Sequence, residues 1–325
     1  MRKNQFVTVL KYIACYCVIF SHALPLAAGN RQYDIVYRLS NGRTSIGGCA
    51  VILFFFFSGY YIAESVSRTT TFLEYSKKRV RRLILPLSIV IVISLIVCGL
   101  FFSAKSRSEY FLDINTWAYL KNIFLKLTPT LPGVFENNIF TSAVNGSLWI
   151  LPIQAYCYVF AWLLKELNLY KKYLNICLLG GVLSLTLNPG HKMVFIVFIF
   201  GEILFMLKDK IREYPNKSKN IVVLFITGIV IATFPKIAEV SLAFYIPLVL
   251  FYCIFDRGYE LRIKRNLPDY TYEIYLCAYP IQQSLVAING GSMDPILNFI
   301  LASILASIAG LGIKRTENWK GKYRK

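Results

Sequence analysis

Blocks of apolar residues long enough to cross a hydrocarbon layer, separated by short basic segments, organise this chain. The stretch Leu83 to Phe102 contains no charged residue at all. A layer about 30 Å thick demands roughly 18 to 22 such residues of a helix. Only helices and closed barrels satisfy their backbone groups inside lipid, and these blocks lack the alternation of barrel strands. Charged residues make up 16% of the chain against 56% hydrophobic ones, which is too little charge for a soluble domain of this length. The fold class is therefore all-α integral membrane.

About ten transmembrane helices are predicted: Phe6–Ala27, Gly47–Val66, Leu83–Ser103, Ser147–Leu164, Tyr173–Asn188, Met193–Leu207, Asn220–Phe234, Ile237–Phe255, Tyr270–Ile288 and Pro295–Ile313. The first block is too long for a cleavable signal and lacks a small-residue cleavage site, so it reads as a span. The chain reads as one polytopic domain over 1–325, with an outer loop at 104–146 and a basic cytoplasmic tail at 314–325. There is no internal repeat. Within the loop, Trp117, Leu120, Ile123, Phe124 and Leu127 recur at helical spacing, which predicts an amphipathic helix over Thr116–Leu127 at the membrane interface.

The net charge of +19 invites a nucleic-acid reading, but the cations sit in short segments between spans rather than on one face of a domain. With the N-terminus inside, 26 of the 36 Lys and Arg residues fall on inner segments, 9 fall on outer ones, and Lys11 lies within the first span. That bias puts both termini in the cytoplasm, and the loop cations meet membrane lipids, not nucleic acid. The cysteines lie within or beside apolar blocks without metal-ligand spacing, so they read as small buried side chains, and no metal site is expected.

Ionisable residues inside a span are expensive and face an interior cavity or pathway. Lys11 and His22 are 11 residues apart, close to three helical turns. Both point the same way, about 16 Å apart along the axis. The bland reading is a snorkelling lysine and a structural histidine. His191, in the short segment PGHK, is read as part of an outer turn with no catalytic role. Glu202 and Glu239 fall near membrane depth, and Glu202 is the better candidate for a buried polar partner.

Several ordered segments resemble the acyltransferase family 3, integral-membrane enzymes that acylate surface polysaccharides, O-antigen acetylases among them. VIFSHALP at the end of the first span is similar to the family's first helix with its histidine. GGCAVILFFFFSGYYIAES, KRVRRLILP, NGSLWILPIQAY with the preceding LPGVFENN, and YTYEIYLCAYPIQQ resemble its later signatures in order. The resemblance spans nearly the whole chain, with two departures. Lys11 stands where the family usually has arginine, so the positive charge remains without the bidentate fork. Gln154 stands where it usually has glutamate, and an amide hydrogen-bonds but does not titrate.

The resemblance implies a membrane O-acyltransferase, in particular an O-acetyltransferase, in the bacterial inner membrane. It implies a cytoplasmic acyl-CoA donor, acetyl-CoA most commonly, as co-substrate, and no bound cofactor. The acceptor is a hydroxyl of a surface polysaccharide, lipopolysaccharide or lipid-linked glycan on the outer side. His22 is the candidate catalytic base. Lys11, Arg79 and Arg82 are the candidate donor-binding cations, because cationic side chains, and the guanidinium groups of Arg79 and Arg82 in particular, suit phosphates. Their bland reading is the positive-inside bias alone. Asn145, Ser147, Trp149, Gln154 and Glu136 are candidates for holding the acceptor or the developing oxyanion. The bland readings are an N-cap for Asn145 and Ser147, and an interfacial aromatic for Trp149. The main alternative is a multi-pass transporter or flippase of a lipid-linked glycan, which would favour paired broken helices in two related halves; none is visible.

The charge bias predicts that alkaline phosphatase fused after Lys325 is inactive in a bacterial host and active when inserted within 104–146. High activity of the C-terminal fusion would overturn this topology.

Overall fold

The computed structural model describes residues 5–213, 223, 226–228, 231, 238–255 and 267–322, with the side chains at 171, 173, 212, 213, 238, 239, 252–255 and 317–322 left out. The predicted seventh span, Asn220–Phe234, therefore lies mostly outside the described residues, as do Arg2, Lys3, the basic segment 256–266, the end of the tail and the Glu239 side chain.

The protein is an all-helical integral membrane protein. Among the described residues the only β pairing is an isolated antiparallel bridge between Ser103 and Val134. The helices are α1 (Gln5–Ala28), α2 (Ile35–Leu39), α3 (Ile46–Arg68), α4 (Phe72–Phe102), α5 (Arg107–Leu112), α6 (Ile114–Ala118), α7 (Ile150–Glu166), α8 (Tyr173–Ser184), α9 (Pro189–Glu213), α10 (Ala238–Phe255), α11 (Thr271–Ile288) and α12 (Pro295–Lys322). Helices 3-10 in type occupy Tyr119–Phe124, Gly146–Trp149 and Leu169–Lys171. Among the described residues, six helical stretches are long and apolar enough to cross a membrane: Gln5–Ala28, Ile46–Arg68, Phe72–Phe102, Gly146–Glu166, Pro189–Ile211 and Pro295–Thr316. Leu174–Ser184 and Val240–Phe251 are shorter apolar helices.

Local chemistry explains where several elements begin and end. Helix α3 starts at Ser45, whose hydroxyl accepts from the Gly48 backbone N–H as an N-cap. Helix α4 begins well before the predicted Leu83, because Phe72 to Arg82 is rich in good helix formers. The Thr71 hydroxyl accepts from the Glu74 N–H at its start. The basic run Lys77 to Arg82 therefore rides on the helix itself. The segment PGHK, expected as a turn, is instead the first turn of α9: Asn188 Oδ1 accepts from the His191 backbone N–H at 2.9 Å.

The chain forms two compact units. The first comprises 1–14, 35–76 and 153–268. In it α3 packs closely on α9, and the contact is backbone to backbone. A Cβ on Gly59 would collide with the Phe198 carbonyl, and one on Gly201 with the Phe56 carbonyl. Small residues permit this approach where lipid supplies no hydrophobic drive between helices. Glu202, next to Gly201, is fully buried, and its Oε1 accepts from the Tyr170 hydroxyl at 2.8 Å.

The second unit comprises 15–34, 77–152 and 269–325. Helices α11 and α12 pack against each other in it. They treat polarity in opposite ways. Ile296, Ile300, Ile304 and Ile308 form an exposed stripe on α12, as Val92, Ile93, Ile96 and Val97 do on α4. An apolar face left outward is what hydrocarbon solvates. Helix α11 instead buries Glu273, Gln282 and Gln283 along with its apolar residues. The Gln282 amide donates to the Ile19 carbonyl on α1 and to Asn298 on α12, at 2.9 and 3.1 Å. Lys314 on α12 pairs with Glu273 at 2.7 Å.

The expected amphipathic helix over Thr116–Leu127 is not one helix. Helix α6 stops at Ala118, the 3-10 helix follows, and Leu125 takes a left-handed conformation with φ +61°. The cause is Asn122, whose amide donates to the carbonyls of Tyr119 and Thr128 while its Oδ1 accepts from the Thr128 N–H. That side chain closes the turn on itself. Thr116, Tyr119 and Asn122 face inward, whereas Trp117, Phe124 and Leu127 face outward.

Gly201→Leu should lower the thermal midpoint of the detergent-solubilised protein, since overpacking costs about 1 to 3 kcal/mol or more where backbone must move. Gly181→Ala is the control, because a Cβ there meets nothing within 4 Å. Equal midpoints for the two variants would refute the close α3–α9 contact.

Candidate active site

The second unit gathers His22, Asn145, Ser147, Trp149 and Glu136, together with Arg79 and Arg82. Lys11 and Gln154 belong to the first unit.

The site begins with a proline. Pro280 lies inside α11 and has no N–H, so the carbonyl of Leu276, one turn earlier, lacks its helical donor. Asn145 supplies the missing donor: its Nδ2 donates to the Leu276 carbonyl at 2.9 Å. Its Oδ1 accepts from the Ser147 backbone N–H at 3.2 Å and from the Ser147 hydroxyl at 2.6 Å, which starts the 3-10 helix Gly146–Trp149. The Ser147 carbonyl in turn accepts from the Tyr275 hydroxyl at 2.6 Å. Asn145 and Ser147 are both buried. Asn145 thus caps a turn and serves a proline-freed carbonyl at once.

The segment leading into this turn is strapped to the same helix. Gln283 donates through Nε2 to the carbonyls of Thr141 and Ala143, both at 2.7 Å. Asn138 donates to the backbone and side-chain oxygens of Gln283 at 3.0 and 2.9 Å. Gly291, in the turn after α11 at φ +99°, brings its carbonyl to the Ile139 N–H at 2.8 Å.

His22 is half-buried on α1 and meets Tyr279 of α11 edge to face, with ring centroids 5.3 Å apart. Its chain neighbour Ser21 donates to the fully buried Asp34 at 3.3 Å. Arg31, on the segment after α1, is near enough to act electrostatically on both His22 and Tyr279. Trp149 is partly exposed at the start of α7.

Glu136 is exposed, and its field acts on Lys105. That lysine forms an ion pair with Asp113 at 2.7 Å. The pair holds the Asp113 carboxyl below its ordinary range and the Lys105 ammonium above its own. On α4, Lys77, Lys78, Arg81 and Arg82 are exposed, and Arg79 is the half-buried member of the run. In the first unit, Lys11 Nζ lies 5.6 Å from the centroid of the Tyr61 ring, a cation–π contact. Gln154 Nε2 donates to the Ser58 hydroxyl at 3.0 Å. The Ser-Gly-aromatic signature of the second span is thus the partner of Gln154.

Sequence reasoning passed over Ser58, Asp34, Arg31 and Tyr279. A signal for the last existed. Tyr272, Tyr275 and Tyr279 recur at helical spacing on α11, and the first two hydroxyls donate to the Leu83 and Ser147 carbonyls.

Comparison with known proteins agrees with this architecture. The model of a family described as "Acyltransferase domain" matches residues 4–314, and the chain belongs to that family, the acyltransferase family 3. It is an enzyme that transfers acyl groups. It is 24% identical over 300 residues to a protein of Shigella phage Sf6 named "O-acetyl transferase", an alignment covering 88% of this chain and 87% of the relative. No solved structure matches. Membership in an acyl-transferring family leaves the flippase reading without support.

Asn145→Ala should lower stability by about 1 to 3 kcal/mol, because it strands the Leu276 carbonyl and uncaps the turn. Pro280→Ala returns an N–H to that carbonyl, so Asn145→Ala should be less damaging in the Pro280→Ala background. Thermal unfolding of the four proteins in one detergent measures the coupling. Strictly additive losses would show that the two residues do not share the carbonyl.

Proposed function

We propose that the protein transfers an acyl group, acetyl in the simplest case, from a cytoplasmic acyl-CoA to a hydroxyl of a surface polysaccharide or lipid-linked glycan on the outer side of the membrane. The relative named O-acetyl transferase supports the acyl group, and the cation distribution supports the sidedness. The observation that carries the reading is the placement of His22. Of the chain's 2 histidines, His191 is tied into the first turn of α9, where its ring pairs with the Asn188 amide at 3.1 Å. His22 sits within a membrane helix beside the α11 helix that holds the Asn145–Ser147 turn.

A neutral imidazole accepts a proton near neutral pH, which no nearby lysine or amide does as readily. In this mechanism the acceptor O–H gives its proton to His22 while its oxygen attacks the thioester carbonyl carbon. The C–S bond then breaks, and the leaving thiolate takes a proton to give free CoA. A transient acyl-imidazole on His22 uses the same residue. Arg79 and Arg82, one turn apart on α4, are assigned to the donor's phosphates. Lys11, in the first unit, is by itself a further candidate cation for the donor. Trp149, partly exposed where the 3-10 helix meets α7, suits a sugar face. Gln154 is a hydrogen-bonding, non-titrating member of the acceptor side. Asn145 and Ser147 act mainly by holding their turn in place, and the exposed Glu136 suits the mouth of the acceptor path.

His22→Gln, in protein of normal abundance and thermal midpoint, should lose about 10² to 10⁴ of the acetylation rate. Radiolabelled acetyl-CoA, membranes carrying the variant and isolated surface glycan provide the assay. Near-normal labelling would defeat the catalytic assignment of His22.

A further inference from the structure

Tyr279 is the tyrosine of α11 that the packing does not explain. Tyr272 and Tyr275 on the same helix both give their hydroxyls to backbone carbonyls, as Tyr110 of the second unit does. Among the described residues, no hydrogen bond engages the Tyr279 hydroxyl. Its ring is nevertheless 6% exposed and held on two sides. One side is His22, edge to face at 5.3 Å. The other is Gly146, where a Cβ would lie 2.6 Å from Tyr279 Oη and 2.7 Å from Cζ. Any side chain at 146 would therefore push the phenol away. Its neighbours Asn145 and Ser147 fix the position of Gly146 through the Leu276 carbonyl and the Tyr275 hydroxyl. A donor without a partner, beside an imidazole and lodged against a glycine whose vacancy both its ring and its hydroxyl need, is arranged for a ligand.

We propose that the Tyr279 hydroxyl is a catalytic group that hydrogen-bonds the acyl carbonyl oxygen as negative charge develops on it. The proposal rests on the reading of His22 as the base. The imidazole and phenol are in ring contact, so one reacting group can touch both. His22 takes the proton from the attacking hydroxyl, while Tyr279 donates to the oxygen of the carbonyl under attack and keeps its own proton throughout. Arg31, close enough to act on both rings, adds a positive field that favours negative charge on that oxygen. Asn145 and Ser147, by contrast, have their side-chain oxygens committed to each other and serve the site by fixing Gly146.

Tyr279→Phe removes the hydroxyl and leaves the ring against His22 and Gly146. It should lower kcat for acetyl transfer about 10² to 10³-fold, as loss of an oxyanion donor does, with the KM for acetyl-CoA and the thermal midpoint little changed. Gly146→Ala should lower kcat in the same direction by displacing the phenol. Replacing Tyr279 with 3,5-difluorotyrosine keeps the shape and makes the phenol more acidic, so the alkaline limb of kcat should move to lower pH; a packing role moves no limb. Parental kcat in Tyr279→Phe, with His22→Gln inactive, would overturn the proposal and leave the His22 reading standing. Parental rates in both variants would remove the His22 reading as well. If Tyr279→Phe does not accumulate, an unmoved alkaline limb in the fluorinated protein overturns the proposal by itself.

Discussion

A carbonyl that its own helix cannot satisfy anchors the candidate site. Pro280 removes the donor for Leu276 O in the middle of α11, and inside a membrane protein no bulk water replaces it. An unmet buried carbonyl costs about 1 to 3 kcal/mol, so a partner is strongly favoured. Asn145 is that partner. The bond brings the Gly146–Trp149 turn onto α11, sets Gly146 against Tyr279, and leaves the Tyr279 ring against His22. The remaining bonds between the 138–143 segment and Gln283 extend the same seam along the helix. A helix-breaking residue thereby supplies specificity: the freed carbonyl accepts only a segment that carries a donor of the right reach.

The distribution of polarity follows from what surrounds each helix. Helix α12 and the later turns of α4 show branched apolar side chains outward, which suits lipid and gives them the highest mean hydropathies among the spans. Helix α11 is enclosed by protein, so it carries Glu273, Gln282 and Gln283 with partners for each. Enclosure makes such groups tolerable, because protein donors and acceptors replace the water they leave. In the first unit Glu202 is fully buried beside the tight α3–α9 contact with only Oε1 served, by the Tyr170 hydroxyl at 2.8 Å, while Oε2 has no hydrogen bond among the described residues.

Much of this was legible beforehand. The apolar blocks marked helices that the structure places within a few residues at α1, α3, α10 and α11, and the ordered signatures marked the family. The errors share a cause. The apolar pattern starts the third span at Leu83 and leaves the basic run before it between spans, yet the residues of that run are good helix formers and α4 runs through it. Thr116–Leu127 was read as one helix from its apolar spacing, yet the Asn122 amide closes the chain around Thr128. Hydropathy measures preference for lipid and is silent about a single side chain capturing its own backbone.

The sequence by itself determined that the chain is a membrane helix protein of an acyl-transferring family, with His22 in its first span, since hydropathy and motif order are properties local to the chain. The tertiary structure decided which groups meet. Asn145 finds its carbonyl across a separation of 131 residues, and Gln154 reaches Ser58 across 96. No periodicity encodes such pairs, because many polar groups along the chain have the same donor and acceptor capacity. Only the folded geometry selects one partner for each, and the vacancy in front of Gly146 that receives the Tyr279 hydroxyl exists only once α11 and the 145–147 turn are together.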